Sequence, residues 1–136
     1  AGNLYLTASA VTSFSAVNTP VKVAATTTSV GLFRVTSPSN NRLVYAGTKT
    51  RRFFVTASMS VTSTSANKYF SFYIYKNGVK LPESEQAMRL STGVDKGSLT
   101  ITCTVQLSTN DYIEVWAANT SDNSSMTVET LNLAIK

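Results

Sequence analysis

Over residues 99–107 the chain places Leu99, Ile101, Cys103, Val105 and Leu107 at every second position, with Thr100, Thr102, Thr104 and Gln106 between them. A helix would scatter those five apolar side chains around its circumference, whereas an extended strand puts them all on one face. The run therefore demands a strand buried on one side and solvated on the other. After the polar break Ser108–Asp111, Ile113, Val115 and Ala117 alternate against Tyr112, Glu114 and Trp116. Residues 97–119 thus read as two strands and a short turn, a hairpin inside an antiparallel sandwich.

The same period recurs along the chain. Phe53, Val55, Ala57, Met59 and Val61 alternate with Phe54, Thr56, Ser58, Ser60 and Thr62, and Tyr69–Tyr75 is apolar or aromatic on both faces. Asn77-Gly78 supplies the positive φ angles of a type I′ turn that returns into Val79–Leu81. In Ser125–Lys136 the alternation slips between Val128 and Leu131, which predicts a bulge. From Arg52 to Ile135 this amounts to five alternating strands.

The first third is less patterned. Residues 1–30 fit short strands separated by loops, or else a flexible stalk of serine, threonine and alanine. Phe33–Thr36 and Arg42–Tyr45 read as short strands around a turn at Ser37–Asn41. Pro82–Leu90 has helix-forming residues after a proline, but Ala87–Leu90 reads better as an edge strand. A length of 136 residues suits one domain, 1–136, with a sizeable core.

Composition excludes several chemistries. The chain has no histidine, which removes every Ser-His-Asp arrangement and the commonest metal ligand. Its seven acids, Glu83, Glu85, Asp95, Asp111, Glu114, Asp122 and Glu129, show no spacing that demands an acid pair for catalysis. The single cysteine, Cys103, lies on an apolar strand face and reads as a small buried hydrophobe, so no internal disulfide forms. No catalytic residue, cofactor or metal is expected. Asp95, Asp111 and Asp122 sit in loops where calcium is conceivable but not expected. Two sequons, Asn119-Thr120-Ser121 and Asn123-Ser124-Ser125, matter only in a eukaryotic secretory protein.

A formal charge of +5 invites a polyanion reading. The lysines and arginines are scattered, however, and the one cluster, Lys49, Arg51 and Arg52, reads as a solvated loop beside a strand start. No nucleic-acid module and no membrane insertion are expected. The residues show no signal-peptide pattern, and the chain is compatible with a segment of something longer.

Aromatic residues carry the remaining signal. Tyr69, Tyr73 and Tyr75 fall on one strand face and Phe70, Phe72 and Ile74 on the other, while Tyr112 and Trp116 share the face opposite Ile113 and Val115. Such residues pack with wet polar tips, anchor subunit interfaces or stack on sugar rings.

In order, the segments Arg52–Val61, Tyr69–Gly78, Gly97–Leu107, Asn110–Asn119 and Thr127–Ile135 resemble the heads of the complement-globular-head and tumour-necrosis-factor superfamily. The phage and viral fibre variety is the nearest in character, because Lys76-Asn77-Gly78 and Asp111-Tyr112-Ile113-Glu114-Val115 are typical of it. The resemblance covers about residues 42–136. It implies an all-β, two-sheet antiparallel jelly-roll sandwich of about eight to ten strands with little or no helix. It also implies a non-enzymatic homotrimer that serves trimerisation and attachment to a cell-surface glycan or protein, on a virion or extracellular surface.

Carried over strand by strand, the resemblance puts Phe54, Thr56, Ser58, Thr100, Thr102 and Thr104 at the trimer axis. Tyr69, Tyr73, Tyr75, Tyr112 and Trp116 become ligand-binding candidates. The chain departs from animal heads in having Asn110-Asp111 where they keep Gly-Asp, and no collagen-like run precedes it. Rival classes are a monomeric carbohydrate-binding module and a purely structural capsid or decoration protein.

Overall fold

A computed structural model describes residues 2–91 and 95–136. The first half of the described chain forms β1 (Gly2–Ala8), β2 (Ala10–Thr12), β3 (Val21–Lys22), β4 (Thr26–Val30), β5 (Val35–Thr36), β6 (Leu43–Tyr45) and β7 (Arg51–Ser63). The second half forms β8 (Lys68–Lys76), β9 (Val79–Lys80), β10 (Gln86–Leu90), β11 (Gly97–Leu107), β12 (Tyr112–Asn119) and β13 (Met126–Ile135). The first sheet runs β11-β7-β13-β1-β4 with β2 on β13, and the second runs β10-β8-β12-β6-β5 with β3 on β12 and β9 on β8. Every strand pair is antiparallel. The strands exceed the eight to ten expected because two- and three-residue pieces complete the sheet edges.

Alternation turned into burial as expected. Val55, Ala57, Val61, Leu107 and Leu133 from the first sheet meet Phe70, Phe72, Ile74, Ile113 and Val115 from the second, each wholly shielded from solvent. Burial of a Val, Leu, Ile or Phe side chain contributes about 1.5–3 kcal/mol, so this interleaved layer is the main stabilising element. Asn77 (φ 52°) and Gly78 (φ 78°) make the expected tight turn between β8 and β9. The register of β13 on β7 shifts between Val128 and Thr130, where the bulge was predicted.

Two expectations are corrected, the hairpin and the Phe33–Thr36 strand, and two open alternatives are decided. Residues 97–119 are not a hairpin: β11 pairs with β7 in the first sheet, while β12 pairs with β8 in the second. The turn Ser108–Asp111 arches across the core, held by the Asp111 N–H to the Ser108 carbonyl (3.0 Å) and by Asn110 at φ 74°. Two strands facing one core from opposite sheets have the same alternation as two paired strands, so the period alone does not tell them apart.

Residues 2–30 are not a stalk, since they supply four strands and bury Leu4, Phe14, Val23 and Ala25 in the common core. The strand expected at Phe33–Thr36 is only Val35–Thr36, because Arg34 adopts φ 57° and breaks the extended backbone. After Pro82 the chain makes one 3-10 turn, Pro82–Ser84, and then the edge strand β10.

Two side chains complete the second sheet where strands fall short. Along one edge β12 is paired by β6 at Tyr112–Ile113 and by β3 at Trp116–Ala117, leaving Val115 without a strand beside it. Buried Asn41 fills that gap: its Nδ2 donates to the carbonyls of Val115 (2.8 Å) and Val23 (3.0 Å), and the Val115 N–H donates to its Oδ1 (3.0 Å). On β8, buried Ser84 accepts from the Ile74 N–H at 2.7 Å.

Candidate functional site

The outer face of the second sheet carries the aromatic candidates. Trp116 lies opposite Tyr73, and Glu114 opposite Tyr75, so strand pairing brings these side chains together. The Tyr75 and Trp116 rings stack at 4.1 Å between centroids and 1° between planes, and Tyr73 meets Tyr75 edge-on at 6.3 Å. Lys80 Nζ sits 4.9 Å over the Tyr73 ring, and the Arg42 guanidinium 4.0 Å over Tyr112. Tyr73 and Tyr75 are consequently covered, at 6% and 7% exposure, and desolvation pushes both hydroxyls above their ordinary pKa. Tyr69 stands apart and is exposed, so the five candidates are one face but not one platform.

Glu114 is the hub of this face, a role the sequence did not assign to it. Its Oε2 accepts from Arg42 Nε at 2.7 Å and pairs with Lys22 Nζ at 3.0 Å, and its Oε1 accepts from Trp116 Nε1 at 3.0 Å. Burial by itself would raise this carboxyl, but bonds from Trp116, Lys22 and Arg42 outweigh that and hold its pKa below the usual value. With both oxygens committed, Glu114 is a structural anion that fixes the Trp116 ring. The available signal was a glutamate within Tyr112–Trp116, on the same strand face as two aromatic residues.

The six axial candidates lie on the outer face of the first sheet as three cross-strand pairs, Thr100 with Ser58, Thr102 with Thr56 and Thr104 with Phe54. Phe54 is 44% exposed there. A shallow groove of about 510 Å³ opens on this face between Ser58, Ser60, Ser98, Thr100, Thr130 and Asn132. It lies where the β13 bulge interrupts the ladder.

The remaining polar candidates are occupied by local bonds. Asp111 accepts from the Ser108 N–H (2.8 Å) and Asn77 Nδ2 (2.9 Å), and these bonds lower its pKa. Asp122 takes Lys68 Nζ at 2.6 Å and the Ser124 N–H at 2.8 Å, which also hold it low. Among the described residues no three His, Cys, Asp or Glu side chains gather around a common point. Asn119 is wholly buried and bonded to Asp122 and Ser124, so the first sequon does not present an acceptor for a glycan. Desolvation pushes the buried Cys103 thiol up to about 11. Among the described residues no helix is long and apolar enough to cross a membrane.

Two antiparallel sheets that enclose one core, with long strands crossing from sheet to sheet at β7–β8, β11–β12 and β12–β13, define a jelly roll. No protein-family model matches the chain, and no curated protein matches it. Solved structures do. Eiger TNF from S. frugiperda is similar at 12% identity and a TM-score of 0.59, over 99% of this chain and 90% of that one. Murine APRIL is similar at 8% identity and 0.57, over 93% and 96% of the two chains. PRD1 vertex protein P5 is similar at 16% identity and 0.51, over 98% and 95%. The chain therefore has the jelly-roll fold of these tumour-necrosis-factor-like structures, the fold anticipated from its motifs. Identities this low establish fold and leave function to the surface. No enzyme family is indicated by these neighbours.

Proposed function

We propose that this chain is the non-enzymatic, trimeric head of a phage or virus-like fibre, one domain that serves assembly and attachment to a cell-surface glycan or protein on a virion or extracellular surface. The observation that carries the reading is the outer face of the first sheet. Following the strand register, one row crosses it as Thr102, Thr56, Ala134, Asn3 and Val30, and the next runs from Thr100 through Ser58, Asn132 and Tyr5 to Thr28. Neither of these two rows holds a charge, the adjacent row setting Phe54 beside Lys136, and Tyr5, Val30 and Phe54 stand 41%, 52% and 44% exposed along this face. Depletion of charge with exposed aromatic and aliphatic anchors is the composition of an interface centre. A threefold ring of such faces is a closed assembly. The aromatic face of the second sheet, with Tyr69, Tyr112 and Trp116 at its surface, then points outward as the attachment side.

Light scattering coupled to size exclusion over a wide dilution range tests this. The expected mass is near three protomers of 14.6 kDa. Phe54→Glu is expected to shift the mass to one protomer, because it brings like charges together in a desolvated centre, whereas Trp116→Ala leaves the trimer intact. A wild-type monomer would refute the trimer and favour the binding-module reading, whereas an intact Phe54→Glu trimer would refute only the axial assignment.

A further inference from the structure

At the end of the sandwich where β5, β6 and β7 meet, a cleft of about 260 Å³ is lined by Phe33, Arg34, Tyr45, Arg51 and Phe53. Its floor is the buried pair Tyr45 and Phe53, whose rings meet edge-on at 4.9 Å. Its rim is Phe33, 66% exposed, with the Arg34 guanidinium 5.0 Å from that ring's centroid. Arg51 begins β7 on the same strand face as Phe53, so its side chain continues the inner face past the end of the core.

Two features mark the cleft as built. The loop 46–50 behind it is pinned: Tyr45 OH donates to the Lys49 carbonyl (2.6 Å), Thr109 Oγ1 donates to the Gly47 carbonyl (2.6 Å), and Thr50 and Ser108 hydroxyls bond at 2.8 Å. A Cβ on Gly47 would fall 2.3 Å from the Tyr45 hydroxyl, so glycine is what lets that ring lie where it does. The second feature is charge. Arg34 and Arg51 are the two cations that line the cleft, and among the described residues neither is in a salt bridge, as is also true of basic residues elsewhere such as Arg52, Lys80 and Arg89.

We propose that this cleft binds an acidic saccharide, a sugar ring bearing a carboxylate or sulfate. Arg34 and Arg51 would take the oxyanion, since guanidinium forks match planar oxyanions. The Phe33 ring would lie against the sugar's C–H surface. A neutral sugar leaves two guanidiniums without gain. A nucleic acid needs a stripe of cations along several phosphates, which the scattered basic residues do not provide. The small volume suits one or two rings rather than an extended apolar chain. This supplies a ligand class for the attachment role proposed above, and it holds whether or not three copies assemble.

The test is calorimetric titration of the full chain with a heparin-derived disaccharide, a trigalacturonate and neutral maltotriose. Binding of at least one anionic probe and none of maltotriose is expected, and the probe that binds distinguishes sulfate from carboxylate. Arg51→Gln and Arg34→Asn, the latter chosen because Asn tolerates φ 57°, are each expected to weaken binding about tenfold. Phe33→Ser is expected to weaken it as well. Lys96→Gln removes the same charge at the far end of the β7–β11 ladder, where Gly97 pairs with Val61, and should leave affinity unchanged. Failure of both anionic probes at millimolar concentration overturns the proposal. So does equal weakening by Arg51→Gln and Lys96→Gln, which would mean a diffuse positive field. Light scattering on the same samples separates the two readings: a binding monomer removes only the trimer, and a trimer that binds neither probe removes only this site.

Discussion

Replacing Asn41 tests whether a side chain can serve as a missing strand. In Asn41→Ala the Val115 N–H and the Val23 carbonyl lose the partners that Asn41 gives them at 3.0 Å. The Val115 carbonyl loses one donor but keeps the Val23 N–H at 3.1 Å. Two orphaned buried groups cost about 1–3 kcal/mol each. Alanine at the observed φ of 53° adds about 1 kcal/mol that asparagine and glycine largely avoid. The expected loss is about 5 kcal/mol, a large share of the roughly 5–15 kcal/mol that folds a domain. Asn41→Gly should recover about 1 kcal/mol of it. Asn41→Asp should be the worst of the three, since it turns a carboxylate toward two carbonyls. Urea unfolding at one fixed protomer concentration, with m values compared, gives the three differences. A loss under about 1 kcal/mol for both Ala and Gly would refute the reasoning, because the ladder would then close without this side chain. Equal losses for Ala and Gly would remove the backbone part alone.

Two further outcomes follow from buried ionisable groups. The folded-state pKa of Glu114 lies below its ordinary value of 4.5, so the unfolded chain binds the extra proton as pH falls. Its contribution is therefore complete above pH 4.5 and is lost below it, through the folded pKa. Glu114→Gln should cost about 1–2 kcal/mol at neutral pH, because Lys22 and Arg42 still reach water. Unfolding curves across the acid range should show the gap from wild type closing below pH 4.5, and a pH-independent gap would contradict the ion-pair account. Cys103, with a thiol pKa of about 11, should resist a disulfide reagent at neutral pH until the chain unfolds. Labelling of the native protein at the rate of a free thiol would show that the β11 inner face opens.

Strand positions, inward residues, the Asn77-Gly78 turn and the β13 bulge were legible in the sequence, because each is a property of a short stretch of backbone. The same alternation put Tyr73 and Tyr75 on the strand face opposite Phe72 and Ile74, and Trp116 opposite Ile113 and Val115, as observed. It did not reveal that Tyr75 and Trp116 spend their faces on each other, since their stacking needs the β8–β12 register. Nor did it reveal the Glu114 hub, whose partners come from Lys22 and Arg42, or the cleft that joins Arg34 to Arg51.

Periodicity determined on its own that this chain makes strands, and which side of β7 and β11 is buried. Only the tertiary structure decided which sheet each strand joined, sending β11 and β12 to opposite sheets and seating Asn41 between β3 and β12. The physical reason is range. Which side of a strand is buried follows from alternation within a few residues, whereas pairing partners and charge neighbours are chosen by contacts between segments tens of residues apart.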